Sequence, residues 1–372
     1  MSKKRILHIQ LLPLLSGVQN MMLELLCHLD MDDYEIFVLS KPGGPLVEAV
    51  KAAGYNYLPV HSLRREFSLW DIVSFFEILR LVRKYKFDIV HTHSSKTGFI
   101  GRIAGRLGGA KKVVHTVHGF AIHEHQSGFK NMIFICLERI AAWFCDKMIF
   151  VNVFERKFAE SHKIISPAKA QTIYNTVNLD KFRYTVKEYS AERDYIENPF
   201  TIGSVLRFTT QKNTLNTIKA AVQVCRENEN IRFIFIGDGD EYQQCRKLVA
   251  AENLNIRILL TGWQPEVELL LPKLDAFLLY SRWEGLPISI LEAMACGLPI
   301  ICSDIKGNNE LVADDNGILV KIDDDDKLIT ELVHLPDRLN DLRRWSDCSR
   351  KKVEENFGIE RFIKEYRDIY EH

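Results

Sequence analysis

The chain has 372 residues, 47% hydrophobic and 26% charged, with 49 Lys+Arg balanced by 49 Asp+Glu. That length exceeds what one hydrophobic core usually supports, so two domains of roughly 180 residues are expected, and ordinary Gly and Pro content excludes a disordered or collagenous chain. The eight cysteines form no Cys-x-x-Cys pair and no Cys/His cluster at zinc spacing, which fits a reducing cytoplasm better than a disulfide framework.

The opening MSKKRILHIQLLPLLSG sets a basic cluster before an apolar stretch, but His8 and Gln10 interrupt it and no small-residue cleavage site follows. A secretory leader is therefore not expected. Short apolar runs then alternate with longer amphipathic stretches, the signature of βαβ units on a parallel sheet. Strands are expected at 5–10, 34–39, 89–92, 112–116 and 147–151. Between them Ile72, Phe75, Phe76, Leu79 and Val82 repeat at helical spacing and read as a buried core stripe. Residues 132–151 are the most apolar long segment, yet Glu138, Arg139, Asp146 and Lys147 break it short of a membrane span.

From 179 to 199 the pattern turns charged and loses its period, as a linker would, so the first domain is expected over 1–180. Strands at 201–206, 232–237, 256–261, 276–280, 299–303 and 317–320 then build a second Rossmann-like unit over 181–352. A last helix within 353–372 lies outside this alternation and is expected to pack back on the first domain. The acidic run Asp323 to Asp326 reads as a solvated loop. Residues 1–180 carry 23 Lys+Arg against 16 Asp+Glu, and eleven of those basic residues fall between Arg64 and Lys112. An anionic surface or substrate is one reading of that excess and a solvated helix face is the other. Nothing in the second half suggests nucleic acid.

The chemistry concentrates in RWEGLPISILEAMACGLP. Gly285 and Pro287 end a loop after a strand, and a helix is expected from Pro287, which suits a first helical position. Its free amides and positive end offer a site for a diphosphate. Glu284 and Glu292 would bracket that site, because ionised carboxylates accept hydrogen bonds from ribose and sugar hydroxyls. His91, His93, His115, His123 and His125 raise the question of a metal, but no pair sits at helical spacing with a nearby carboxylate, so no metal and no other cofactor are expected.

With its two glutamates, GLP and EAMACGLP, this string resembles the donor-site signature of glycosyltransferase family 4, and the resemblance runs along nearly the whole chain. VLRFTTQKN resembles the family's Arg-Leu…Lys-Gly element, which puts Arg207 and Lys212 on the donor diphosphate. It departs from the family at Asn213, where glycine is usual. FIFIGDGDE, LTGWQPEV and SDIKGNNELV resemble the Gly-Asp-Gly turn, the base-contacting loop with Gly262 and Trp263, and the Gly-Asn…Glu segment. In the first half IVHTHSSKTGFIGRIAG, VVHTVHGF and IYNTVNLDKF follow the family pattern.

The resemblance implies an α/β fold of two Rossmann-like domains facing across a cleft (GT-B). It implies a retaining, metal-independent transfer of a hexose or N-acetylhexosamine from a nucleotide-sugar, UDP favoured, to a saccharide acceptor in bacterial surface polysaccharide synthesis. Donor contacts fall on Gly17, Arg207, Lys212, Gly262, Trp263, Glu284, Gly285, Leu286, Pro287 and Glu292, with Glu284 on the sugar and Glu292 on the ribose. His118 corresponds to the histidine that holds the donor sugar, which makes His118, Arg207, Lys212 and Glu284 the catalytic set. The usual Gly-Gly after the first strand is here Ser16-Gly17. Ser16, Ser94, Ser95 and Lys96 are expected at the acceptor. The basic excess suggests a polyprenyl-diphosphate-linked acceptor and peripheral contact of a cytoplasmic protein with the inner membrane. A nucleotide-sugar epimerase of the same fold and a catalytically silent binding subunit are the alternatives.

Overall fold

A computed structural model of the chain describes residues 3–66, 68–120, 127–187, 189–190 and 192–372; His123 and His125 lie outside this set. It divides into two units, Met1–Asn175 with Glu360–His372, and Thr176–Ile359.

Unit 1 alternates β1 (Lys4–Ile9), α1 (Gly17–Cys27), β2 (Tyr34–Ser40), α2 (Pro45–Ala52), β3 (Asn56–Pro59), α3 (Trp70–Tyr85), β4 (Ile89–His93), α4 (Ser95–Leu107), β5 (Lys112–Val117), α5 (Gly128–Ala142), β6 (Lys147–Phe150), α6 (Val153–Ser161) and β7 (Ala170–Thr172). The strands form one parallel sheet in the order β3-β2-β1-β4-β5-β6-β7. β4 is buried at every residue and β1 at its last four, because a parallel sheet is covered on both faces. β3 and β7 are short edge strands with no apolar run, so sequence pattern did not reveal them. Chain direction across the sheet reverses at β3, and right-handed crossovers then place α1 and α2 on one face and α3, α4 and α5 on the other. α3 packs on α4, and α4 on α5.

The α3 stripe differs from expectation. Leu79 and Val82 are buried, but Ile72 and Phe76 are 58% and 59% exposed. The face turned to the core runs through Ser74, Ile78 and Val82. Ser74 tolerates burial because its hydroxyl pairs with Ser62 Oγ at 2.8 Å and with Trp70 O at 3.0 Å.

Unit 2 contains β8 (Phe200–Val205), α7 (Thr214–Glu227), β9 (Ile231–Ile236), α8 (Tyr242–Ala251), β10 (Ile258–Gly262), β11 (Ala276–Leu279), α9 (Ile288–Ala295), β12 (Ile300–Ser303), α10 (Asn308–Leu311), β13 (Gly317–Val320), α11 (Asp325–Val333) and α12 (Leu339–Asn356). Its parallel sheet has the order β10-β9-β8-β11-β12-β13.

Three local expectations are corrected. Pro287 caps α9 from outside, with Ile288 as the first helical residue. Asp324 is the N-cap of α11 and Asp325 and Asp326 lie in its first turn, where the helix dipole favours negative charge, so the acidic run starts a helix. The last segment is two helices: α12 ends at Asn356, and α13 (Ile359–Glu371) starts beyond Gly358. α13 belongs to unit 1, where Lys112 Nζ donates to Ile369 O at 2.7 Å.

Candidate functional site

In unit 2 the chain order across the sheet reverses beside β8, with β9 on one side and β11 on the other. Open α/β sheets bind ligands at the carboxyl ends of such strands. The exit of β8 is held by the Gly-Asp-Gly turn: Leu206 N donates to Ile236 O and Phe208 N to Asp238 O, both at 3.0 Å. At Gly237 (φ +137°) a Cβ would stand 1.9 Å from Leu206 O, so only glycine allows the turn to approach this closely. Arg207 between these contacts is exposed and has no ion-pair partner among the described residues. A 3₁₀ turn, Thr210–Lys212, follows, and Asn213 enters α7 at φ 53°. Asparagine is one of the few side chains that tolerates this left-handed region, which accounts for the departure from glycine.

Three bonds stitch this turn to the loop after β11. Arg282 N donates to Gln211 O at 2.8 Å, Gln211 Nε2 to Trp283 O at 3.0 Å, and Lys212 Nζ to Glu284 Oε1 at 2.5 Å. The structure thus brings Lys212 and Glu284 together as a pair whose side chains are 18% and 7% exposed. Glu292 has a different environment. Burial pushes its carboxyl up to about 8, with Lys181 opposing and Glu268 adding to the shift. At pH 7 the ligand-free protein therefore favours a protonated Glu292.

The 284–287 loop is braced from behind by residues to which the sequence reading gave no role. Ser303 Oγ donates to Ser281 O at 2.6 Å, and Asn308 Nδ2 to Ser303 O at 2.9 Å. Gly307 (φ +90°) lies so close that a Cβ would meet Gly285 O at 2.1 Å. Their signal was the SDIKGNNELV string itself, but the contact with Gly285 depends on the register of β12 against β11. Leu286 is buried, and Trp263, just past β10, leaves its indole 66% exposed. Gly262 O accepts from Gly237 N at 2.9 Å, which ties that loop to the exit of β8.

In unit 1, β1, β4 and β5 lie side by side, with His8 in register with His91. Their histidines join in a chain: His118 Nε2 to His93 Nδ1 at 3.1 Å, His93 Nε2 to His8 Nδ1 at 3.0 Å, and His8 Nε2 to Tyr370 Oη at 3.4 Å. The chain continues from Tyr370 Oη to His91 Nδ1 at 2.6 Å, from His91 Nε2 to Thr116 Oγ1 at 2.8 Å, and from Thr116 Oγ1 to Tyr366 Oη at 3.2 Å. Burial lowers His8 to about 3 and His118 to about 4, and holds His91 and His93 well below the usual range, so all four are neutral at pH 7. His8, His91 and His93 are close enough to consider as metal ligands, but each of their six nitrogens already has a hydrogen-bond partner.

A neutral chain of this kind has two proton orders. If Tyr366 donates to Thr116, every proton within the chain meets an acceptor, and the one left over is the Nδ1–H of His118, which is half-buried and open to solvent. In the reverse order the buried Tyr366 proton has no acceptor among the described residues, an arrangement that folded proteins avoid. His8, Tyr366 and Tyr370 were not legible in the sequence because strand adjacency and the position of α13 bring them in.

Ser16 is the N-cap of α1, its hydroxyl bonded to Gln19, and Gly17 is the first helical residue. Ser94 is the N-cap of α4 at φ 66°, ψ 153°, a region essentially reserved for glycine that costs about 1–3 kcal/mol for other residues and recurs at functional sites. Ser95 opens the helix. Lys96 departs from expectation: it is 5% exposed, and its ammonium donates to Arg64 O at 2.8 Å and to Glu66 O, and pairs with Asp71 at 2.6 Å. These bonds turn it inward and hold Arg64, Glu66 and Asp71 against α4.

A family model described as Glycosyltransferase Family 4 matches residues 15–181, and one described as Glycosyl transferases group 1 matches residues 186–352. The chain is 35% identical to an Escherichia coli protein named UDP-Gal:alpha-D-GlcNAc-diphosphoundecaprenol alpha-1,3-galactosyltransferase, over 99% of this chain and 97% of that one. It is 25% identical to N-acetyl-alpha-D-glucosaminyl L-malate synthase of Bacillus anthracis, over 81% and 79%. Among solved structures, Anabaena HepE in complex with UDP-glucose superposes with a TM-score of 0.81 at 16% identity, covering 98% of each chain. Sucrose-phosphate synthase from Thermosynechococcus elongatus superposes at 0.78 and 18%, covering 99% and 98%. At these identities the two structures speak for the fold alone.

Proposed function

The chain belongs to glycosyltransferase family 4, an enzyme of two Rossmann-like α/β domains, and we propose that it transfers a hexose or N-acetylhexosamine from a UDP-sugar to a diphosphate-linked lipid saccharide in surface polysaccharide synthesis. The carrying observation is the Lys212–Glu284 pair and, at the carboxyl end of β8, Arg207, which has no ion-pair partner among the described residues. Arg207 and Lys212 stabilise the charge that develops on the leaving diphosphate, and Glu284 accepts hydrogen bonds from sugar hydroxyls. Trp263 offers an exposed ring against the base, with Gly262, Gly285, Leu286 and Pro287 shaping the same rim. Gly17 lets the first loop of unit 1 approach the donor. Glu292 takes the ribose diol once it is ionised.

Double displacement would need a carboxylate beneath the anomeric carbon, and the family resemblance gives Glu284 to the sugar and Glu292 to the ribose instead. Transfer with retention follows a front-face route: the bond from the anomeric carbon to the diphosphate oxygen breaks, the acceptor oxygen bonds to that carbon, and the departing diphosphate takes the acceptor's proton. His118 holds the sugar through its outward nitrogen. Ser94 and Ser95 receive the acceptor, with Ser16 at the N-cap of α1. The acceptor class rests on the activity for which the E. coli relative is named and on the basic excess of unit 1, and it makes the protein a cytoplasmic one in peripheral contact with a membrane. Among the described residues no helix is long and apolar enough to cross one.

The test is a screen of UDP- and GDP-sugars for nucleotide release with lipid-diphosphate acceptors. UDP release coupled to a lengthened saccharide supports the reading. Isomerised donor without transfer would identify an epimerase, and no turnover with any donor a binding subunit.

A further inference from the structure

Large apolar side chains exposed on unit 1 concentrate on two helices. The outward face of α3 changes character along its length: Trp70, Ile72, Val73 and Phe76 occupy its first two turns, continuing from Leu69, which is 84% exposed. Arg80, Arg83 and Lys84 then extend the same face, and the Arg64 guanidinium lies 5.3 Å over the Trp70 ring. On α5, Phe129, Met132, Ile133, Ile140 and, one residue past its end, Trp143 recur at helical spacing on one exposed stripe, with exposed Lys130 and Arg139 at its flanks. Singly exposed apolar residues are ordinary, but two periodic stripes of this size mark an interaction face.

Topology joins the two stripes. α3, α4 and α5 cover one face of the sheet with α4 in the middle. Each follows a strand and runs back antiparallel to it, so all three begin at the carboxyl edge of the sheet. The apolar starts of α3 and α5 therefore flank the start of α4, where Ser95 follows the strained Ser94.

The distribution of side chains selects the occupant. An apolar tip carrying tryptophan, backed by arginine and lysine rather than by mixed charge, is the pattern of a helix seated at the interface of an anionic bilayer. We propose that the first turns of α3 and the outward stripe of α5 form a docking face for an anionic phospholipid bilayer, which presents the lipid-linked diphosphate to the start of α4. The purpose assigned to the face rests on the acceptor class proposed above; the binding itself does not.

The experiment is flotation of the full chain with phosphatidylethanolamine–phosphatidylglycerol vesicles that contain no saccharide acceptor. The wild type is expected to float. The quadruple variant Val73→Ser, Phe76→Ser, Ile133→Ser, Trp143→Ser should lose roughly tenfold or more in vesicle affinity while keeping UDP binding, to which none of the four residues is assigned. Arg80→Gln with Arg83→Gln should weaken binding chiefly at low salt. As a check independent of the quadruple variant's folding, brominated lipids should quench wild-type tryptophan fluorescence, and Trp70→Phe with Trp143→Phe should abolish most of that quenching. A wild type that does not float, a quadruple variant that floats equally well, or quenching unchanged without Trp70 and Trp143 would each overturn the docking face. Floating without sugar transfer to a lipid-linked acceptor would leave the face standing and sink the acceptor assignment instead.

Discussion

Replacing Lys212 with alanine removes one member of the Lys212–Glu284 pair and leaves a carboxylate that is 7% exposed without its cation. An unsatisfied buried acceptor costs about 1–3 kcal/mol, and a fully buried ion-pair partner left alone costs more. Because the lysine side chain is 18% exposed, water can reach the pair, and about 2 kcal/mol is the appropriate figure. For a unit of about 180 residues this lowers the midpoint of thermal unfolding by about 4–8 °C. Arg207→Ala, at an exposed site without an ion-pair partner among the described residues, should leave the midpoint of unit 2 unchanged. Both variants should lose about 10²–10³ in turnover, since each removes a cation from the leaving diphosphate. Adding Glu284→Gln to Lys212→Ala should recover most of the lost stability, because a neutral amide needs no counter-charge, and should recover none of the turnover. The assays are circular dichroism melts without nucleotide, and nucleotide release under saturating donor. A Lys212→Ala protein that melts with the wild type, or a double variant whose losses simply add, would refute the coupling; near-normal turnover in both single variants would refute the diphosphate assignment.

The remaining predictions concern the rest of the site. Glu292 is raised from 4.5 to about 8, so between those values the folded protein holds a proton that the unfolded chain releases; stability of unit 2 should fall as pH rises from about 4.5 to 8, and Glu292→Gln should flatten that slope in urea titrations. UDP affinity should rise with pH across the same upper limit and lose this dependence in Glu292→Gln, whereas calorimetry showing an identical pH profile would remove Glu292 from the ribose. Gly307→Ala places a methyl where Gly285 O stands, so UDP should bind about tenfold or more weakly, and unchanged affinity would show that the 284–287 loop does not need that brace. Nitrogen-15 spectra of the histidines should show His118 as the neutral Nδ1–H tautomer, with a mixture in Tyr366→Phe; an Nε2–H signal in the wild type would reverse the proposed proton order.

The sequence by itself determined the architecture and the family, because both are written in local pattern. Apolar runs between amphipathic stretches specify strands and helices, and the string around Glu284 identifies the family. Even Asn213 was legible as a departure, although only its left-handed backbone explains why asparagine is accepted there. Tertiary structure decided which residues meet. Glu284 meets Lys212 because the turn after β8 is stitched to the loop after β11. Lys96 turns inward because Arg64 and Glu66 offer it carbonyls and Asp71 a carboxylate. His8, His91 and His93 meet because β1 lies beside β4, and Tyr366 and Tyr370 join them from α13, more than 200 residues away along the chain. The apolar spacing of α3 was visible, but its buried face was not, since a paired serine turned out to define the core side. Periodicity reports that a helix has a face, while burial depends on partners that a linear pattern does not contain.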